Sequence, residues 1–212
     1  MHAPHDDVPP PFWRELGLAA AAIIGLTLAG IGLISAGAFD PRLIGEQLST
    51  AAPADVQLAP GEPVLRWLAE APAGDYSVRL SASRAGGETD IGYGVALGDA
   101  PALVVAAVAP AGYLALWRGA QDYLDGSAAA PGSETILVWQ TWPHVRSGGQ
   151  SNEIWLDVRA GRLAGLRINR ELAWEGSETV PGGRVGVWAQ SFGAPAEIDF
   201  RLLEIWGLPA GG

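Results

Sequence analysis

The sequence predicts an all-β, two-sheet antiparallel sandwich of jelly-roll type, preceded by one N-terminal transmembrane helix. Three observations predict it. Residues 16–39 run LGLAAAAIIGLTLAGIGLISAGAF without a single charge, between Arg14-Glu15 and Asp40-Pro41-Arg42. From Glu62 onward, short alternating apolar and polar runs are broken by Gly, Pro, Asn and Asp, which is the pattern of strands and turns. About ten to twelve such runs fit into the remaining ~150 residues, as a sandwich with solvent-facing outer faces requires.

The apolar stretch comes first. As a helix rising ~1.5 Å per residue it is roughly 36 Å long, enough to cross a hydrocarbon core of about 30 Å with some tilt. A cleaved secretory signal is the alternative, because Ala36-Gly37-Ala38 has the small-x-small form that signal peptidase prefers. The apolar core is longer than the roughly 7–15 residues usual for a signal. The preceding MHAPHDDVPPPFWRE also sets one Arg against Asp6, Asp7 and Glu15, where a signal is positive. An uncleaved anchor is therefore expected. Ala21, Gly25 and Ala29, continued by Gly32 and Ala36, form a small-xxx-small stripe that lets another helix approach closely in lipid. Arg14 and Arg42 balance across the membrane. The short tail before a large domain then favours an N-terminus inside and a domain outside the cytoplasmic membrane.

The expected organisation is a Pro-rich tail over 1–15, the transmembrane helix over 16–39, a juxtamembrane linker over 40–61 and the sandwich over 62–208. The linker is Ala- and Pro-rich with a helical turn at Leu43–Leu48. It carries more apolar residues (Leu43, Ile44, Leu48, Val56, Leu58) than free slack needs, so contact with a partner is expected of it. There is no cysteine, which excludes disulfides and thiolate metal sites. A net charge of −10 without any Lys/Arg cluster excludes nucleic acid and anionic lipid headgroups as electrostatic partners. Nine Trp against one Met is the unusual feature of the composition.

Strands are expected at Val64–Leu68, Tyr76–Ser81, Ile91–Leu97, Ala102–Ala109, Tyr113–Trp117 and Thr135–Thr141, with a polar loop over 118–133. Tyr76, Val78 and Leu80 share one face by the period of two. In the clearest stretch Ile154, Leu156 and Val158 alternate with Trp155, Asp157 and Arg159 up to a turn at Ala160-Gly161. Leu166 and Ile168 follow, with a tight turn at Asn169-Arg170. Arg184–Ala189 comes next, and the last strand is Glu197–Trp206, with Ile198, Phe200 and Leu202 inward.

The segment NEIWLDVRAGRLAGLRINRELAWE, followed by PGGRVGVWAQSFGAPAEIDFRLLEIW, resembles the second half of a laminin-G-like, concanavalin-type jelly roll. Asn152, Gly161, Asn169, Gly183, Gly186 and the Ile198–Phe200 run carry the resemblance, together with the Pro110-x-Gly112-Tyr113 hairpin. Arg170 stands where such domains usually have Gly. The resemblance implies the fold and no single activity, since such domains include glycan-binding modules, glucanases, sugar hydrolases and inert interaction domains.

Catalytic readings fail on the residues. Glucanases of this kind carry a carboxylate trio on one strand, and Glu197 and Asp199 begin one. Glu204 lies seven residues on, roughly 23 Å along a strand, and strict alternation points it the other way. The working carboxyls of a glycosidase stand about 5–9.5 Å apart, so these three are expected on the solvated face of an edge or outer strand. His2, His5 and His144 are too scattered for a metal site or a triad. Asp99, Asp122 and Asp125 lack a calcium-loop spacing. No cofactor is implied. The tryptophans remain: alternation turns Trp155 and Trp188 away from the core, and Trp142 sits in a loop, so these three are the candidate partner or glycan surface. Trp139, Trp174 and Trp206 are expected in core or rim packing.

The expected function is therefore a non-catalytic, membrane-anchored interaction protein. As an accessory or stabilising subunit it would dock on other transmembrane subunits of a larger complex, such as a respiratory or photosynthetic electron-transport assembly. The alternative is a membrane-anchored carbohydrate-binding module, and less favoured still is a glycoside hydrolase-like enzyme.

Overall fold

The computed structural model describes residues 11–35, 38, 45–99, 102–119 and 134–209. The chain divides into two compact units, Met1–Arg42 and Leu43–Gly212.

The first unit holds α1 (Pro11–Ser35), in which Pro11 takes the first helical position, where its missing N–H costs nothing. Over Trp13–Ser35 it is long and apolar enough to cross a membrane, and none of it is buried by the rest of the chain. Ala36, the last residue of the small-residue stripe, lies outside the described residues, as do Asp122 and Asp125.

The second unit is a sandwich of two antiparallel sheets. One sheet has seven strands: β1 (Glu46–Ala51), β2 (Val56–Leu58), β4 (Tyr76–Gly87), β9 (Asn152–Arg159), β10 (Arg162–Ile168), β11 (Glu171–Thr179) and β13 (Ala196–Gly207). Its order is β1-β13-β4-β9-β10-β11, with β2 also paired to β13. The other has six: β3 (Val64–Glu70), β5 (Ile91–Asp99), β6 (Ala102–Ala109), β7 (Tyr113–Gly119), β8 (Glu134–Thr141) and β12 (Arg184–Ser191), in the order β3-β12-β5-β6-β7-β8. Between them lies the main core, to which Val78, Leu80, Tyr93, Val95, Ile154, Leu156, Val185, Val187, Ile198 and Phe200 contribute. This is the two-sheet jelly roll that the alternation predicted.

Three expectations need correction. The linker assigned to 40–61 contains β1 and β2, so the sandwich starts before Glu62. Val56 and Leu58 are core residues with Gln57 exposed between them, and the pair closes onto β13. Three residues of alternation among alanines and prolines are too short a signal to register as a strand. The helical turn over Leu43–Leu48 is replaced, from Glu46 on, by the start of β1. Finally, β13 is an interior strand and carries a bulge between Phe200 and Leu202. The extra residue flips the alternation: Leu203 and Ile205 enter the core, while Leu202 is 37% exposed. The same bulge returns Glu204 to the outer face that holds Glu197 and Asp199.

Two hairpin turns use left-handed backbone at both central positions. Asn169 and Arg170 have φ of 52° and 77°, and Ala160 and Gly161 have 49° and 70°. Positive φ at both central positions is the type I′ geometry that suits the twist of a two-residue hairpin. Arg170 adopts it in place of the usual Gly, held by a partner that fixes the loop. The Asn169 side chain accepts from the Glu153 amide (2.9 Å) and donates to the His144 carbonyl (2.7 Å) and to Asn152 Oδ1 (2.8 Å). Asn152, fully buried, in turn donates to the Tyr93 hydroxyl (3.0 Å) and the Arg146 carbonyl (3.0 Å) and accepts from the Arg146 amide (2.8 Å). The two asparagines thus pin the loop after β8 to both sheets.

Candidate functional site

Alternation sends every second side chain of each sheet away from the core, and the two outer faces differ sharply. On the six-stranded sheet the outer layer is apolar and rich in alanine and tryptophan. Ala96, Leu103, Val105, Ala107, Ala115, Trp117 and Trp188 form a second buried cluster, with Leu65, Trp67, Trp139 and Phe192 packed against it. Trp117 and Trp188 meet edge to face at 4.8 Å between centroids, and Trp139 lies 6.5 Å from Trp117. Glycine makes the floor: a Cβ on Gly92 would stand 3.0 Å from both the Trp139 and Trp188 rings, and one on Gly186 would stand 2.9 Å from Trp67. Arg184 caps the edge, 4.6 Å above the Trp67 ring and bonded to Asp99 at 2.7 Å.

Trp188 is therefore fully buried, and this corrects its assignment to a partner or glycan surface. It does point away from the main core, but a second apolar layer covers it. Trp142 is half-buried, packs against the main core and lies 5.8 Å from the His144 ring. Trp188 thus offers no open aromatic face.

On the seven-stranded sheet the outer face is polar and ordered by ion pairs. One row in register across it reads Glu204, Arg79, Trp155 and Arg167; the next reads Trp206, Ser77, Asp157, Gly165 and Glu175. Arg79 bridges Glu153 and Glu204, the latter at 3.4 Å. Trp155 is only 6% exposed, which again corrects the expected open ring. Its neighbours across the strands are the two arginines, and its indole N–H donates to Asp157 Oδ1 at 2.9 Å. Ser77 donates to the same oxygen. Among the described residues nothing donates to Asp157 Oδ2, which stands 3.8 Å from where a Cβ of Gly165 would be, with Leu172 at 3.9 Å. Gly165, itself buried, thus leaves a methyl-sized gap in the outer face, flanked by Asp157 and Glu175 and edged by the 42%-exposed Leu172. This gap escaped sequence reasoning, although Ser-x-Arg on β4 and Trp-x-Asp on β9 were its visible signal.

The carboxylates of β13 do not assemble for catalysis. Asp199 pairs with Arg201 at 2.7 Å, Glu204 with Arg79, and Glu197 stands toward the other end of the strand. Among the described residues no three His, Asp or Glu side chains are grouped to hold a metal.

At one end of the sandwich three loops enclose a half-open cleft of about 500 Å³. They are 71–75 between β3 and β4, the β9–β10 turn at Ala160-Gly161, and 180–183 between β11 and β12. Tyr76 lines it, 4% exposed, and burial pushes its phenol up to about 12.

No family model matches the chain, and no curated protein resembles it in sequence. Solved structures do. Carbohydrate binding module CBM66 from Bacillus subtilis superposes with a TM-score of 0.47 at 10% identity, over 75% of this chain and 89% of that one. The binding domain of botulinum neurotoxin DC, in complex with SialylT, gives 0.46 at 8% identity, over 77% of this chain and 42% of the other. The GH43 BlXynB protein from Bacillus licheniformis gives 0.51 at 9% identity, over 73% of this chain and 32% of that one. The chain thus spans less than half of the latter two. At such identity the likeness speaks for architecture alone, and that architecture is the concanavalin-like jelly roll.

Proposed function

We propose that the protein is a non-catalytic, membrane-anchored binding module that takes a neutral glycan on the outer face of its seven-stranded sheet. The observation that carries this reading is Asp157. One of its oxygens is fixed by Ser77 and Trp155, and the other, beside Gly165, takes no hydrogen bond from the described residues. A carboxylate held in place by two donors loses no orientation freedom on binding and accepts strong hydrogen bonds from ligand hydroxyls. Glu175 across the gap offers a second acceptor, and Leu172 an apolar edge for the C–H face of a ring. The arginines of this face are already engaged or flanked by acids, and the chain carries −10, so an anionic ligand is disfavoured.

α1 is read as an uncleaved anchor with the sandwich on the extracytoplasmic side. A second reading, an accessory subunit of a membrane complex, has one observation in its favour. Ala21, Gly25, Ala29 and Gly32 put small side chains on α1 at the spacing that lets another helix approach closely.

One experiment separates the two. The full chain in nanodiscs is applied to a glycan array beside Asp157→Asn and Gly165→Val. Binding to neutral glycans that both substitutions abolish, with thermal stability kept, supports the module. Absence of glycan binding, with co-purification of stoichiometric subunits lost on Gly25→Leu, replaces it with the subunit reading.

A further inference from the structure

β13 is flanked on one side by two short strands whose hold on it differs. β2 sends Val56 and Leu58 into the core at 1% and 2% exposure, and Pro53 just before it is buried. β1 buries no side chain: of Glu46–Ala51 only Ser49 and Ala51 are even half-buried. Its one large apolar residue, Leu48, is 48% exposed. Among the described residues, no apolar side chain of β1 belongs to the core or packs against it. β1 is therefore held by backbone pairing with Leu203–Gly207, and a bulge between Gln47 and Ser49 interrupts that pairing.

The rest of the sheet does not depend on β1. β13 is paired with β4 along its whole length, from Ala196 to Gly207, and the Leu208 amide donates to the Asp75 carbonyl at 2.9 Å. Undocking frees backbone groups at the sheet edge, where water replaces the lost partners while the strand regains conformational entropy. An element with few buried contacts and solvent-exposed backbone hydrogen bonds opens locally, well short of global unfolding.

Gly45 controls the docking. Its φ is 133°, and a Cβ there would collide with the Gly207 carbonyl oxygen. A side chain at this position cannot enter β1 by the same path.

The place of β1 in the chain gives its opening a consequence, because it follows α1 in the element order. Docked, the chain joins the sandwich at Gly45. Released, it joins at the buried Pro53, and the added residues 45–52 reach at most about 28 Å when extended.

We propose that β1 is a releasable strap. It undocks from β13 while the sandwich stays folded, and so lengthens the tether between the anchor and the binding module. The inference rests on the reading of α1 as an uncleaved anchor and on no ligand.

The test follows the full chain in nanodiscs by amide hydrogen exchange. Amides of Gln47–Ala51 are expected to exchange about a hundredfold faster than those of β2 and β4. Gly45→Ala is expected to speed exchange in β1 further, with β2, β4 and the melting temperature unchanged. The chain has no cysteine, so Thr50→Cys with Glu204→Cys, partners in register, introduces a single disulfide that locks the strap. Energy transfer from a C-terminal fluorophore to labelled lipid is expected to rise when this disulfide forms and to fall with Gly45→Ala. Exchange in β1 as slow as in β4, or opening of β1 only together with β2, overturns the strap and leaves the anchor reading standing. Energy transfer indifferent to both the disulfide and Gly45→Ala also overturns it. A chain that does not insert into the bilayer removes the anchor reading and the tether with it.

Discussion

The outer faces of the two sheets are built by the same alternation and end in opposite states. On the six-stranded sheet the positions between core residues are Gly92, Gly94, Ala96, Ala107, Ala115 and Gly186, a low floor on which Trp67, Trp117, Trp139 and Trp188 lie. On the seven-stranded sheet the equivalent positions are Ser77, Arg79, Glu153, Asp157 and Glu204, joined by ion pairs and hydrogen bonds around Trp155. One face gains from removing apolar area from water, the other from mutual satisfaction of charges that stay partly hydrated. A tryptophan pointing away from a core is thus no evidence of a contact surface by itself; its neighbours across the strands decide.

The comparison breaks most visibly at the tryptophans. Trp188→Ala removes a fully buried indole from a close-packed layer and is expected to cost about 4 kcal/mol. Trp155→Ala should cost clearly less, because the flexible Arg79 and Arg167 can collapse into the gap. Urea midpoints of the two variants measure the difference, and equal losses would mean the two faces are packed alike.

The core-facing tyrosines sharpen it next. Burial raises the phenols of both Tyr76, to about 12, and Tyr93. The unfolded chain ionises its tyrosines near the ordinary value of about 10 while the folded chain does not, so the unfolded state holds fewer protons and stability falls as pH rises. This stabilisation is complete below pH ~10 and is lost as pH climbs toward about 12. Tyr76→Phe should flatten that part of the profile, followed by denaturant midpoints at alkaline pH and by tyrosinate absorbance.

Glycines give a smaller, paired effect. Gly92→Ala drives a methyl against two indole rings at 3.0 Å and should cost about 1–3 kcal/mol. Gly165→Ala meets only ordinary contacts at 3.8–4.0 Å and should be neutral or stabilising by up to about 1 kcal/mol. Thermal melts of the pair report which sheet has a tight outer layer. The smallest effect is expected for Arg79→Ala, about 1 kcal/mol and weakened by salt, because its side chain is 32% exposed.

Much of this was legible in the chain. The charge-free run gave α1, and period-two alternation gave the core faces of β4, β9 and β10. Asn152 and Asn169 marked the turns that the structure shows pinned by side-chain hydrogen bonds. The second apolar layer also had a signal: ALVVAAVA over β6 has no polar residue at either parity, which is what burial on both faces looks like. The Gly165 gap showed only Ser-x-Arg on β4 and Trp-x-Asp on β9, and the end cleft had no signal, since their parts come from strands and loops far apart in sequence.

By itself the sequence determined the apolar helix, the strands, their inward faces and the left-handed turns, because each depends on residues within a few positions of one another. Tertiary structure alone decided that 46–58 joins the sandwich and that the β13 bulge returns Glu204 to the outer face. It also decided that Trp188 is covered, and that one Asp157 oxygen, beside Gly165, takes no hydrogen bond from the described residues. Burial and pairing are set by neighbours across strands: Arg79 meets Glu204 across 125 residues and Ser77 meets Asp157 across 80. Local periodicity can aim a side chain, but only the packed neighbours determine what it meets.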